Sequence, residues 1–147
     1  MSNRFEYRAR GAAGILTNKP AWGLLTNATN RVKLLKLEIM VGAATACELS
    51  LGIAAAVGTQ TSGTAPNNTV LGGTAGTSRI AVAWSADPTI PSSFLRGATL
   101  AASIGSVEYW YWEEGLIIPV SSELVLWNTG AGTGPSIIMY NVELEEL

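Results

Sequence analysis

Residues 107–128 read VEYWYWEEGLIIPVSSELVLWN, and this stretch decides the fold. Its four consecutive aromatic residues run from Tyr109 to Trp112. Successive side chains of a β-strand point to opposite faces, so Tyr109 and Tyr111 share one face while Trp110 and Trp112 share the other. A glycine and a proline interrupt the apolar residues that follow, and a second β-rich run begins at Glu123. The stretch therefore predicts two strands joined by a short connection.

The aromatic run also predicts a contact surface. Four adjacent aromatic side chains are too bulky to bury against one core, so we expect the strand to lie between two packed surfaces. One would be the domain's own core, and the other a neighbouring subunit or a ligand.

The rest of the chain repeats the strand pattern. Short runs of alternating apolar and polar residues, separated by turns rich in Gly, Asn and Pro, give eight to ten strands in 147 residues. Residues 31–41 also fit a helix, but we favour a strand with a bulge near Leu34 and Leu35. The fold class predicted is all-β, an antiparallel β-sandwich with a jelly roll preferred and an immunoglobulin-like sandwich as the alternative. We expect an N-terminal arm at 1–10 and a single domain at 11–147 with a long Gly/Thr-rich loop at 58–78.

Charge is distributed unevenly along the chain. Residues 1–36 carry seven Lys or Arg and one Glu, whereas residues 107–147 carry seven Glu and no basic residue. The simplest interpretation is that the two ends neutralise each other within one fold. The alternative is head-to-tail complementarity between copies, or a basic segment laid on an acidic partner.

Catalytic chemistry is not indicated. The sequence has no histidine, one cysteine (Cys47) and one aspartate (Asp87), so histidine-based catalysis and a zinc site are excluded, and we predict no catalytic residue, metal or cofactor. We expect Cys47 to be a buried structural thiol. No nucleic-acid binding is expected because glutamates flank the aromatic run. No secretory signal is evident, and the apolar window at 41–57, which contains Glu48, is not expected to span a membrane.

Two parts of the sequence resemble a known family. The first is the early pattern of short strand, Asn-containing turn and long strand over residues 12–41. The second is the C-terminal half, where GLIIP at 115–119 and LVLWN at 124–128 precede a closing strand that ends VELEE. In these patterns, and in its low charge and Ala, Gly and Thr content, the chain is similar to tailed-phage head decoration (cement) proteins of the jelly-roll type.

This resemblance implies a structural protein of the virion. It implies a homotrimer, synthesised in the host cytoplasm, that binds the major capsid protein on the surface of an icosahedral head and stabilises the head through added buried area. The expected capsid contacts are Arg4, Phe5, Tyr7, Arg8 and Arg10 in the arm, together with Phe94, Leu95 and Arg96. The expected oligomer interface comprises Tyr109, Trp110, Tyr111, Trp112, Ile137 and Met139.

An alternative function remains open. The aromatic run also suits a sugar-stacking platform, which makes a carbohydrate- or receptor-binding module of a virion the second hypothesis. We favour a core and subunit interface, because no Asp or Asn flanks the run to bind sugar hydroxyls.

Overall fold

The computed structural model describes residues 3–61 and 63–147. Met1 and Ser2 of the expected arm, and Ser62 of the expected loop, lie outside the described residues. Within the described ranges the chain forms twelve strands and no helix. In chain order these are β1 (Arg4–Gly11), β2 (Pro20–Leu25), β3 (Val32–Val41), β4 (Cys47–Ile53), β5 (Thr59–Gln60), β6 (Asn67–Asn68), β7 (Arg79–Ala81), β8 (Trp84–Ala86), β9 (Arg96–Leu100), β10 (Val107–Ile118), β11 (Glu123–Asn128) and β12 (Ile138–Glu146).

The strands form two packed antiparallel sheets. The first sheet has the order β10-β3-β12-β1-β6, and the second has the order β7-β2-β11-β4-β9. Strands β5 and β8 form a separate two-stranded sheet. Apart from the short strands β5 to β8, the sheets have the orders 1-12-3-10 and 2-11-4-9, and the chain changes sheet at every connection except that from β4 to β9. This is the connectivity of a jelly roll. The prediction of an all-β sandwich is confirmed, with jelly-roll connectivity and not the immunoglobulin-like one.

Alternating side chains build the core between the sheets. In β12, Ile138, Tyr140, Val142 and Leu144 are all buried, and the intervening residues are partly exposed on the outer face of the first sheet. The second sheet contributes a matching apolar face from β2 and β11, and the ring of Trp22 lies 6.4 Å from that of Tyr140. This strict alternation fixes which face of each strand is buried, because a slip of one residue would expose the apolar set.

Strand β3 contains the predicted bulge. Lys36 pairs with Glu143 and with Tyr111, whereas Leu34 pairs with Leu144 and with Leu116, so Leu35 is the extra residue. The bulge places Lys33 and Lys36 on the same outer face of the sheet while Leu34 and Leu37 stay buried. The strand prediction for residues 31–41 is confirmed, and the helix alternative is wrong.

The expected arm is wrong for residues 4–10. These residues belong to β1, which pairs with β12 from Arg4 to Gly11 and with β6 at Phe5 and Glu6. Phe5 and Ala9 are buried in the core. The charged residues between them resemble an unstructured arm in sequence, but they occupy the outer positions of a half-buried strand.

The expected loop at 58–78 is mostly irregular in the described residues and contains the short strands β5 and β6. It belongs to residues 54–95, which connect β4 to β9 and are called here the β4–β9 insertion. The insertion adds β6 to the edge of the first sheet and β7 to the edge of the second. It also covers part of the outer face of the second sheet, where Trp84 packs so closely over Gly23 that a Cβ there would lie 2.7 Å from the indole.

Candidate interaction surfaces

A buried glutamate ties the β4–β9 insertion to the second sheet. Glu123, at the start of β11, is fully buried. Its carboxylate accepts hydrogen bonds from the indole Nε1 of Trp84 (2.7 Å), the backbone N of Gly58 (2.8 Å) and the amide of Gln60 (3.2 Å). Three donors from one connection therefore converge on one acidic side chain of the sandwich.

A second buried glutamate holds the middle of the insertion. Glu146, the last residue of β12, accepts hydrogen bonds from the backbone N and the hydroxyl of both Thr77 and Ser78, at 2.7 to 3.0 Å. Burial by itself raises the pKa of Glu146, but the hydrogen bonds from Ser78 and Thr77 together hold that pKa below its usual value. The insertion is thus fastened at two points by buried acidic side chains.

The acidic and thiol groups of the interior serve the fold. Cys47 is buried as predicted, and burial raises the pKa of its thiol to about 11. In the described ranges no group of three or more His, Cys, Asp or Glu side chains is placed to hold a metal ion. Nor do the described residues include a helix long and apolar enough to cross a bilayer.

The outer face of the first sheet carries rows of charged residues that run across β1, β12 and β3. One row contains Arg4, Glu145 and Lys33, with Arg4 also 3.2 Å from Glu143. These contacts confirm the interpretation that the basic N-terminal and acidic C-terminal segments neutralise each other within one fold. They do so only in part, because Arg8 and Arg10 of β1 form no ion pair with any described residue.

A groove of about 520 Å³ lies on this outer face. Glu38 and Asn141 form part of its floor and are joined by a 2.7 Å hydrogen bond from the Asn141 amide. Asn67 and Asn68 of β6 form part of its wall. The sequence prediction missed this groove, because its asparagines come from strands far apart in the chain and only the sheet order brings them together.

The aromatic run of β10 divides as predicted between two faces. Trp110 is buried in the core, and Trp112 packs against it edge-to-face at 6.5 Å between ring centroids. Arg96 at the start of β9 stacks on the ring of Trp112 at 4.7 Å. Tyr109 and Tyr111 are 52% and 56% exposed on the outer face. Of the four aromatic residues predicted for an oligomer interface, only the two tyrosines are freely accessible.

The other residues of the predicted oligomer interface lie at the N-terminal end of β12. Met139 of β12 pairs with Met40 on one side and Arg10 on the other, so its partly exposed side chain lies on the same outer face as the tyrosines. Ile137 precedes β12 and packs over Gly42.

The structure does not bring the two predicted groups of capsid contacts together. In the first group Arg4 is ion-paired, Phe5 is buried, Tyr7 packs against the core, and only Arg8 and Arg10 are free and exposed. The second group, Phe94, Leu95 and Arg96, leads into β9 at the opposite edge of the sandwich. The two groups therefore lie at different edges of the sandwich.

An exposed apolar turn forms a further candidate surface that the sequence prediction did not single out. Leu71 is 97% exposed and follows Val70, which is also exposed. Asn68 fixes the turn by accepting the Val70 N–H at 2.8 Å, and Gly73 donates its N–H to the Val70 carbonyl at 2.8 Å. Gly72 adopts φ +82°, which favours glycine. The only sequence signal was an apolar Val-Leu pair inside a polar glycine-rich segment.

Comparison with solved structures gives a weak likeness. No family model and no curated protein matches the chain. Among solved structures, that of tomato aspermy virus determined by X-ray crystallography aligns over 100% of this chain and 80% of that chain, with a TM-score of 0.41 and 7% sequence identity. A likeness this weak supports neither a shared family nor a shared function.

Proposed function

We propose that this chain is a virion structural protein that decorates an icosahedral phage head, binding the major capsid protein as a homotrimer and catalysing no reaction. The observation that carries the proposal is the exposure of apolar and aromatic side chains at several rigid points of one small sandwich. Leu71 is 97% exposed on a hydrogen-bonded turn, Leu95 is 53% exposed beside β9, and the two tyrosines of β10 stand on a paired strand. Apolar groups held at fixed surface positions are typical of sites that bind other proteins.

The buried acidic residues hold the fold together, which agrees with a role in binding. Glu123 and Glu146 are the buried acidic residues of the described chain, and both have their oxygens occupied by donors of the β4–β9 insertion. Jelly rolls serve as capsid and lectin domains, among other roles, so the fold permits the proposed function without specifying it.

Phe94, Leu95 and Arg96 are the residues we assign to the capsid contact. Leu95 donates its backbone N–H to the carbonyl of Leu51 at 2.7 Å, and Arg96 stacks on Trp112, so both are held on the sandwich. The apolar turn at Val70 and Leu71 is the second assigned contact. A contact made by segments whose backbone is already held loses little backbone conformational entropy on binding.

Co-sedimentation with heads assembled without this chain tests the proposal. Wild-type protein should bind saturably at a fixed number of copies per head, and replacing both Leu71 and Leu95 with Ser should weaken binding by about tenfold or more. Ile104→Ser is the matched control, because Ile104 is 71% exposed in the β9–β10 connection outside both assigned contacts. Binding that is absent, unsaturable or equally weakened by the control would refute the decoration role.

Glycan binding is the second candidate, and the groove on the first sheet is the observation that favours it. Carboxylate and amide groups of Glu38 and Asn141 line a volume of about 520 Å³, and Tyr109 is the cross-strand neighbour of Glu38. Hydrogen-bonding groups beside an aromatic ring suit a sugar. Titration calorimetry with an oligosaccharide panel tests this candidate, with Asn141→Ala as the variant expected to abolish binding. A flat titration for the whole panel removes it.

A further inference from the structure

The first sheet leaves two strand edges unpaired, one at each side. At one side, β10 pairs only with β3. At the other, β6 covers β1 only at Phe5 and Glu6, so residues 7–11 have no strand beside them in the described chain. Unpaired edges of this kind present backbone N–H and C=O groups that readily pair with another chain.

The two edges carry opposite charge. Glu108, Glu113 and Glu114 belong to β10 and form no ion pair with described residues, whereas the open part of β1 contains the unpaired Arg8 and Arg10. Pairing β1 with a second β1 would bring the arginines of two copies together. The pairing of β10 with β1 of another copy instead brings a strand of net negative charge beside a segment of net positive charge.

The backbone groups on the two edges also match. Val41 donates its N–H to the carbonyl of Ser106, so the antiparallel alternation turns the backbone groups of Tyr109 and of its neighbours at 107 and 111 away from β3. On β1, Thr69 donates to the carbonyl of Arg4, so the same alternation turns the backbone groups of Arg8 towards the open edge. Each edge thus offers alternate residues whose side chains stand on the outer face.

Direction and length agree with such a pairing. Strand β1 runs opposite to β12, β12 opposite to β3, and β3 opposite to β10, so a β10 placed beside β1 as the next strand in the sheet is antiparallel to it. If the cross-strand rows of the sheet continue from one copy into the next, Arg8 of one copy lies opposite Tyr109 of the other. Tyr111 is then two residues further along the strand. In this register Tyr111 would lie opposite Glu6, which already pairs with β6. The regular pairing of β10 with β3 also stops after Tyr111, so the new pair of strands would end at the same point.

We propose that copies of this chain associate head to tail through their first sheets, with residues 107–110 of β10 in one copy pairing with residues 7–10 of β1 in the next. The tyrosines lie against the arginines, as Tyr109 already lies 5.9 Å from the Lys36 ammonium within one copy. A heterologous contact of this type closes into a ring when its rotation permits, and the proposed trimer is one such ring. This proposal assigns Arg8 and Arg10 to a contact between copies, whereas the sequence placed them in the capsid contact. It rests on the proposed function only in requiring that copies of the chain come into contact.

Cysteine cross-linking in purified protein tests the inference. Directly opposite residues in a hydrogen-bonded antiparallel pair have Cα atoms about 5.5 Å apart, within the range that a disulfide spans. Under mild oxidation, Arg8→Cys chains mixed with Tyr109→Cys chains should form a covalent dimer containing one of each, while either variant alone should form none. Both positions are exposed, and the native Cys47 is buried.

A mixed dimer that forms no faster than the homodimers would overturn the inference, and a dominant Tyr109→Cys homodimer would indicate two-fold pairing. Charge reversal gives an independent measurement. Arg8→Glu with Arg10→Glu should weaken self-association by about tenfold, measured as mass by light scattering against concentration. If these reversals leave the mass unchanged and instead reduce co-sedimentation with heads, the basic edge binds the capsid and the inference is wrong while the decoration role stands.

Discussion

The Glu123 carboxylate should contribute a large share of the stability of the β4–β9 insertion. Replacing Glu123 with Gln keeps the side-chain shape but exchanges one acceptor oxygen for an NH2 group. If the remaining oxygen keeps the bonds from Trp84 and Gln60, the N–H of Gly58 faces another donor. A buried donor left without a partner costs about 1–3 kcal/mol, and the loss of charge weakens the other two bonds. We expect Glu123→Gln to lower the free energy of unfolding by about 2–4 kcal/mol.

Urea unfolding at neutral pH measures this loss, and Glu113→Gln is the matched control. Glu113 is exposed and has no ion pair or side-chain hydrogen bond in the described chain, so its change should stay within about 0.5 kcal/mol. Trp84→Phe removes one of the three donors, and its cost should be smaller in the Glu123→Gln background than in the wild type. The proposed role of Glu123 would be refuted if the free energy of unfolding of Glu123→Gln lay within about 0.5 kcal/mol of wild type. It would also be refuted if the costs of Glu123→Gln and Trp84→Phe were strictly additive in the double variant.

Three further predictions concern the same framework. The pKa of Glu146 is lowered in the folded chain, so the stabilisation it contributes is fully present above the usual carboxyl pKa and is lost as pH falls through the folded pKa. Glu146→Gln should therefore flatten the decline of the free energy of unfolding below about pH 5. An unchanged dependence of that free energy on acid pH would contradict this. Gly23→Ala should lower the free energy of unfolding by about 1–3 kcal/mol, measured by heat or urea, because its new methyl meets the Trp84 ring. Gly97→Ala is the control and should cost less, since the nearest atoms to its new methyl lie at 3.6 Å. Equal losses in the two variants would contradict the packing of Trp84 over Gly23. Gly115→Ala should cost about 1 kcal/mol or more, since φ is +79° and the new methyl meets the Lys33 side chain; a stabilised variant would contradict the irregular β10–β3 pairing described here.

The parts of the fold that depend on local alternation could be predicted from the sequence. Residues 138–144 and 109–112 alternate so regularly that their buried faces follow directly, and the misplaced charges at 33–38 located the bulge. Residues 4–10 misled the prediction because outer positions of an edge strand are as polar as those of a free arm. Phe5, Tyr7 and Ala9 do alternate with charged residues, which is the period-two pattern of a half-buried strand, so the arm prediction gave the charges too much weight.

The surfaces were less predictable because they depend on strand order. The groove combines Glu6, Glu38, Asn67 and Asn141, which are up to 135 residues apart in the chain. The opposed charges at 1–36 and 107–147 were visible in the sequence, yet only the sheet order shows that Arg4 is neutralised within the fold while Arg8 and Arg10 are not. The roles of Glu123 and Glu146 were also hidden, since nothing local distinguishes them from the exposed Glu113.

Cryo-electron microscopy of heads incubated with the purified protein tests the decoration role most directly. Discrete density should appear outside the shell at symmetry-related positions, and this β-sandwich should fit it. Leu95 and Leu71 should be turned towards the capsid protein. If neighbouring copies touch, β10 of one should meet β1 of the next. Heads that show no added density at saturating protein, or density that places the β4–β9 insertion and residues 94–96 away from the shell, would contradict the decoration role.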